Sequence, residues 1–174
     1  YAKAYDFGFA ALRYFNAAGA SPEGDIGEDH DPETHLIPIV LQVALKQRES
    51  ITIFGDDWPT RDGTCVRDYI HVDDLGAAHL AALEKIELGK GIKVNLGTGR
   101  GYTVREVIEC CCEVSGAAID VSIGSRREGD PPELVSQSAL ARQLLDWEPQ
   151  YNEIHGIVET AWRWHQGHSA GYGS

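Results

Sequence analysis

Cys65-Val-Arg-Asp-Tyr-Ile-His-Val72 opens the segment that decides the fold, because its β-branched and aromatic residues predict a strand. Asp73 and Asp74 follow at the position of a helix N-cap, and an alanine-rich helical pattern over residues 75–88 ends at Gly89. Another strand is predicted over residues 92–96. Strands that alternate with helices indicate an α/β protein with at least partly parallel pairing.

The alternation continues on both sides of this segment. The first residues predict the end of a helix stopped at Gly8, and the near-continuous apolar run over residues 9–15 predicts a strand covered on both faces. Polar residues 21–33 predict a loop. The other predicted elements are a helix over residues 36–46, strands over residues 51–54 and 119–123, a helix that follows the capping box Thr103-Val-Arg-Glu106, and helices over residues 138–145 and 154–165. Five residues form the predicted buried stripe of the helix over residues 36–46: Leu36, Ile39, Val40, Val43 and Ala44.

Composition narrows the classes of function. The chain has 174 residues, with 15 Lys plus Arg against 27 Asp plus Glu, which gives a net charge of −12. Without a basic block, this charge argues against binding to duplex nucleic acid or to an anionic membrane. No apolar run is long enough to span a bilayer, and we expect a cytoplasmic protein. The chain begins at Tyr1 and contains no methionine, so we expect it to be a piece of a longer protein.

Three local motifs favour structural roles. The glycines of Gly97-Thr-Gly99-Arg-Gly101 miss the dinucleotide-binding spacing by one place, and a tight turn before a capped helix explains them. His30-Asp-Pro-Glu-Thr-His35 contains a proline and lacks the spacing of a helical zinc motif, so we predict that its histidines share no face and hold no metal. The cysteines, Cys65 and residues 110–112, form no Cys-x-x-Cys pair and are interpreted as structural thiols.

Arginines provide the strongest candidate for chemistry. Arg126-Arg127-Glu-Gly-Asp130 combines two guanidinium groups with an acid at the end of a turn. Guanidinium groups bind phosphate oxygens in a bidentate manner, and Asp130 is suited to accept hydrogen bonds from ribose hydroxyls. A solvated loop with local ion pairs is the alternative. Arg67, beside Asp68, is also compatible with a structural salt bridge.

Four stretches together carry a resemblance to a known family: Leu12-Arg-Tyr-Phe-Asn16-Ala-Ala-Gly19-Ala, residues 54–75 from Phe54-Gly-Asp-Asp-Trp to His71-Val-Asp-Asp-Leu75, Asn95-Leu-Gly-Thr-Gly99, and Arg126-Arg-Glu-Gly-Asp130. Through them the chain resembles the UDP-glucose 4-epimerases, extended short-chain dehydrogenase/reductases, from its first residues to about His168. The resemblance implies the last strands of a Rossmann-type parallel sheet plus a smaller, mixed α/β substrate-binding domain. Residues 1–20 would end the NAD-binding domain, and residues 21–174 would form mainly the UDP-sugar-binding domain, with residues 66–98 contributing back to the Rossmann sheet.

The resemblance also implies roles for individual residues. Tyr14 and Phe15 match positions beside the nicotinamide of bound NAD, Asn16 and Leu36 match contacts to the phosphates, and His35 matches a sugar-facing position. The remaining implied substrate residues are Thr52, Ile53 and Phe54 around the uracil, Arg67 and Arg127 on the diphosphate, Asp130 on the ribose, and Leu134 at a position that gates sugar size. Leucine is intermediate in size there, so we expect UDP-N-acetylhexosamines to fit as well.

The activity implied by the resemblance is NAD-dependent interconversion of UDP-glucose and UDP-galactose through a 4-keto intermediate. The family's catalytic Ser and Tyr-x-x-x-Lys are expected upstream of Tyr1, so the chain alone is expected to be inactive. The full-length protein is expected to form a homodimer and to bind neither nucleic acid nor membrane. Two alternatives stay open: a non-catalytic UDP-binding module or remnant, and a related UDP-sugar decarboxylase or dehydratase.

Overall fold

A computed structural model describes residues 1–173. The α/β class is confirmed, because three of its strand pairs that link distant parts of the chain run in parallel. The elements are α1 (Ala2–Tyr5), β1 (Phe9–Tyr14), β2 (Asn16–Ala18), α2 (Leu36–Ala44), β3 (Ile51–Phe54), β4 (Val66–His71), α3 (Val72–Lys85), β5 (Gly91–Leu96), β6 (Gly101–Thr103), α4 (Val104–Ser115), β7 (Val121–Gly124), β8 (Glu133–Leu134), α5 (Ala139–Leu145) and α6 (Ile154–Gly167).

Strand β4 lies at the centre of the molecule. It pairs in parallel with β2 and β8 and antiparallel with β6, while β1 pairs with β5 and β3 with β7. Because neighbouring side chains on a strand point to opposite faces, Tyr69 joins the apolar cluster of α2, α4 and α6, and Ile70 joins that of α3, β5 and α5. Both faces of β4 are therefore covered by helices.

Two boundaries near the amino terminus differ from the sequence prediction. The first helix ends at Tyr5, and Asp6 adopts the left-handed conformation that we had expected of Gly8. Gly8 is required for another reason: a Cβ there would lie 2.4 Å from the carbonyl oxygen of Glu87. Strand β1 is only half-buried rather than covered on both faces, with Tyr14 48% exposed.

Helix α3 begins at Val72, three residues before the start that the sequence predicts. The N-cap is His71, whose Nδ1 accepts the backbone N–H of Asp73. The carboxylate of Asp74 instead accepts the backbone N–H groups of Gln150 and Tyr151. The predicted aspartate cap is therefore wrong, and the capping box at Thr103 and Glu106 is confirmed.

The predicted buried stripe of α2 is only partly correct. Val40 and Val43 are buried, as expected, but Leu36, Ile39 and Ala44 remain half-exposed, and the other buried positions of this helix are Ile37, Pro38 and Leu41. Pro38 fits in the first helical turn, where its missing N–H has no intrahelical partner to lose. Leu36 and Ile39, which the sequence predicted to be buried, line a cavity instead.

The carboxylate of Asp68 connects three segments around β4. It is 1% exposed and accepts the backbone N–H groups of Thr98, Gly99 and Ser136, together with the hydroxyls of Thr98 and Ser136. A Cβ at Gly97 would lie 2.6 Å from Asp68 Oδ2. The glycine cluster therefore wraps a buried carboxylate before a capped helix, in agreement with its structural interpretation.

Replacing this carboxylate should destabilise the whole chain. In Asp68→Asn, an NH₂ group replaces one acceptor oxygen and faces donors, so we expect the free energy of unfolding to fall by about 2–4 kcal/mol. Urea denaturation followed by circular dichroism measures this change. The matched control is Asp120→Asn at an exposed position, where we expect a change within about 0.5 kcal/mol. Equal losses in the two variants would contradict the role of Asp68.

Candidate functional site

A cavity of about 1240 Å³ brings together most of the residues singled out in the sequence. Eleven of the twelve implied site residues line it: Tyr14, Phe15, Asn16, His35, Leu36, Thr52, Ile53, Phe54, Arg67, Arg127 and Asp130. The twelfth, Leu134, is outside the lining; it lies on β8, paired in register with Arg67 of β4. Residues from distant parts of the chain thus converge on one concave surface.

Parallel pairing places the first group of these residues. Tyr14 ends β1, Phe15 lies between the two strands, and Asn16 begins β2. Asn16 is in register with Tyr69 of β4, which fixes its position next to the strand that carries Arg67. The passage from β1 to β2 therefore forms one wall of the cavity.

Strand β3 forms another wall. Ile53 is buried, whereas Phe54 is partly exposed at the end of the strand. The guanidinium of Arg127 lies over the Phe54 ring, 3.8 Å from its centroid, which is a cation–π contact. An aromatic face and a positive charge are therefore stacked together beside the cavity.

The two adjacent arginines take different directions. Arg126 stacks on Trp58 and its Nε donates to Asp57 Oδ1 at 2.6 Å. This hydrogen bond lowers the pKa of the Asp57 carboxyl. Of the pair, only Arg127 lines the cavity. Arg126 thus matches the local ion pair that the sequence left open, while Arg127 remains available to a ligand.

Arg67 combines a structural and an open role. Its Nη1 donates to the carbonyl oxygens of Val66 and Pro131, and its Nη2 lies 3.5 Å from Asp130 Oδ1. The salt-bridge partner is therefore Asp130 rather than the neighbouring Asp68. The side chain of Arg67 is 14% exposed, and these contacts hold it together with Asp130 at the cavity wall.

Among the lining residues that sequence reasoning missed are Arg48, Cys65 and Tyr69. Arg48 follows α2, and its Nε donates to Gln42 Oε1 at 2.6 Å. No motif marks it; only the tertiary arrangement brings its guanidinium to the same cavity as Arg67 and Arg127. Three arginines converging in a chain of charge −12 favour an anionic ligand.

Three of the four cysteines are poor nucleophiles. Burial raises the pKa of the Cys65 thiol, which lines the cavity, and raises that of Cys110 to about 11. The pKa of Cys111, fully buried, is raised by the same cause. Since the thiolate is the reactive form, these thiols are held in their unreactive state near neutral pH, in keeping with structural roles.

The histidines of the loop before α2 behave differently from the sequence prediction. The rings of His30 and His35 lie 5.1 Å apart, so the expectation that they share no face is wrong. The helical spacing rule did not apply because both lie outside a helix. His35 Nδ1 lies 2.5 Å from Glu28 Oε1 and 3.3 Å from Glu33 Oε1. Burial, followed by the charge of Glu33, raises the pKa of Glu28.

Comparison with known proteins assigns the family. The model of the NAD dependent epimerase/dehydratase family matches residues 1–97, which is more than half of the chain. The chain belongs to this family.

Relatives of this family member include UDP-glucose 4-epimerases. The chain is 54% identical over 171 residues to the UDP-glucose 4-epimerase of Halalkalibacterium halodurans, covering 98% of the chain and 51% of the relative. It is 35% identical to the Bifidobacterium longum enzyme, whose structure is a complex with NAD⁺ and UDP, with a TM-score of 0.92 and coverage of 97% and 50%. The resemblance inferred from motifs is thus confirmed, and the chain spans about half the length of the relatives it matches.

Another similar structure comes from Campylobacter jejuni. It is the UDP-Glc/GlcNAc 4-epimerase of that organism, 41% identical, with a TM-score of 0.74 and coverage of 91% of the chain and 48% of that protein.

Among residues 1–173, every helix is too short or too polar to span a bilayer.

Proposed function

We propose that this chain supplies the UDP-sugar-binding side of an NAD-dependent UDP-glucose 4-epimerase. The observation that carries the proposal is the convergence of eleven implied site residues on one cavity, with Arg67 and Arg127 both at its wall. The relatives support the same activity, since those from Halalkalibacterium halodurans and Bifidobacterium longum are UDP-glucose 4-epimerases.

The chemistry of the wall suits each part of UDP. Phe54 offers an aromatic face to the uracil, flanked by Thr52 and Ile53 on the same strand. Arg67 and Arg127 provide guanidinium groups for the diphosphate, together with the Asn16 side chain and the Leu36 backbone amide. Asp130, held beside Arg67, provides a carboxylate for the ribose hydroxyls.

The hexose and the cofactor are proposed to occupy the part of the cavity that His35, Tyr14 and Phe15 line. His35 at the N-cap of α2 would face the sugar, and Tyr14 and Phe15 would adjoin the nicotinamide of NAD. NAD, when bound, accepts the hydride from C4 of the sugar. This chain's own part is to anchor the UDP group while the 4-keto hexose turns to present its other face.

The first test is UDP affinity measured by isothermal titration calorimetry. In Arg127→Ala the loss of a charge-assisted contact to phosphate should raise the Kd for UDP at least ten-fold, about 1.4 kcal/mol. Arg126→Ala is the matched control: the neighbouring arginine is directed to Asp57 and Trp58, so its removal should change the Kd less than two-fold. A larger loss in Arg126→Ala than in Arg127→Ala would reject the assignment.

We further propose that the catalytic base lies outside these residues, because the sequence contains no Tyr-x-x-x-Lys. The 174-residue chain, supplied with UDP-galactose and NAD, should therefore form no UDP-glucose, as measured by NMR of the sugar anomeric protons. The full-length Halalkalibacterium halodurans relative serves as the positive control. Turnover above the protein-free blank would show that the chain holds a base of its own.

The size of the sugar that the site accepts is proposed to depend on the side chain at Leu134. Leu134 on β8 is in register with Arg67, which is proposed to bind the diphosphate, and leucine leaves more room than tyrosine, so UDP-N-acetylglucosamine is proposed as a second ligand. The Campylobacter jejuni relative is a UDP-Glc/GlcNAc 4-epimerase. Leu134→Tyr should lower affinity for UDP-N-acetylglucosamine about ten-fold relative to UDP-glucose, measured by competition with UDP. Leu140→Tyr, on exposed α5, should leave that ratio unchanged; equal ratios in both variants would refute the role of Leu134.

A further inference from the structure

Four side chains in the loop that leads into α2 form a cluster at the rim of the cavity. Each of Glu28, His30, Glu33 and His35 offers one nitrogen or oxygen atom, and these four atoms all lie within 4.8 Å of one another. They come from eight consecutive residues, and two of them, Glu28 and His35, also line the cavity. The cluster combines two imidazoles with two carboxylates.

One proton on His35 cannot bridge both carboxylates of this cluster. His35 Nδ1 lies near both Glu28 Oε1 and Glu33 Oε1, at 2.5 and 3.3 Å, and His30 Nδ1 lies 3.6 Å from the same Glu33 oxygen. A ring nitrogen carries at most one proton, so His35 Nδ1 can donate to only one carboxylate at a time. A dication can bind both carboxylates and both neutral imidazoles together.

The backbone around the cluster is already fixed. The buried carboxylate of Glu33 accepts the backbone N–H groups of Thr34 and His35 on Oε1. At the other end, the indole N–H of Trp164 donates to the carbonyl oxygen of Glu28 at 3.1 Å. Both ends of the loop are therefore held before any ion arrives, which limits the ordering required for binding.

We propose that Glu28, His30, Glu33 and His35 form a binding site for one divalent transition-metal ion of the zinc class. Zinc binds imidazole nitrogen and carboxylate oxygen at about 2.0–2.2 Å, so four tetrahedral ligand atoms lie about 3.4 Å apart. The side chains of His30 and His35 are 48% and 57% exposed, and we expect their rings to rotate so that the ligand atoms, now within 4.8 Å of one another, reach that separation. Four protein ligands make this a closed, structural type of site that ties the loop to the start of α2.

The test is a Zn²⁺ titration of the EDTA-treated, dialysed 174-residue chain, with metal content measured by mass spectrometry. We expect one Zn²⁺ per chain, and a Co²⁺ complex with visible absorption that disappears when Zn²⁺ is added. His30→Gln and, separately, Glu28→Gln should each weaken Zn²⁺ binding at least ten-fold. His30 is exposed, so its variant should fold, and circular dichroism of the metal-free proteins verifies this.

The matched control is His155→Gln. His155 forms a two-residue contact with Glu159 on α6, 3.6 Å apart, and should contribute nothing to the site. Failure to bind Zn²⁺, or equal binding by His30→Gln, Glu28→Gln and His155→Gln, would overturn the proposal. UDP affinity measured in EDTA is a separate readout. Failure of the metal site would therefore leave the proposed nucleotide site unaffected, and failure of the nucleotide site would leave the metal site unaffected.

Discussion

Burial of one carboxylate organises the cavity. Asp68 lies on β4 between Arg67 and Tyr69, both of which line the cavity. Its two oxygens hold the end of β5 through Thr98 and Gly99, and the segment after β8 through Ser136. A buried carboxylate is stable only when donors surround it, so this position dictates how three distant segments meet. Asp130 precedes the segment that Ser136 anchors and is held to β4 by Arg67, which also donates to the carbonyl oxygen of Pro131.

A similar carboxylate lies on α3, just after the carboxyl end of β4. Asp74 receives the backbone N–H groups of Gln150 and Tyr151, and the indole of Trp147 donates to the carbonyl oxygen of Asp74. Tyr151 in turn stacks on the buried ring of His71, 3.7 Å between centroids. The segment before α6 is thereby attached to the junction of β4 and α3. Asp68 and Asp74 thus hold backbone segments together, while Arg48, Arg67 and Arg127 line the cavity.

Local sequence patterns predicted an element correctly where the contacts that form it join neighbouring residues. Strand β3 matches its predicted bounds, and the capping box at Thr103 and Glu106 is present, because both depend on neighbouring residues. The aspartate cap of α3 failed because the partners of Asp74 lie more than 70 residues downstream. The proximity of His30 and His35 was missed for a related reason: the path of a loop, rather than a periodic spacing, sets it. Arg48 carried no signal at all, since only the assembled cavity reveals its direction.

The stacking of Arg127 on Phe54 has a consequence for exchange of ligands. In the proposed UDP site, a planar base that stacks on the same face of Phe54 would displace the guanidinium, so this side chain would compete with the base for that face. The net binding free energy would then be the difference between stacking the base and stacking Arg127 on Phe54, plus the attraction of the displaced guanidinium to a nearby phosphate. In that site, recognition of the base would be tied to recognition of the charge that accompanies it.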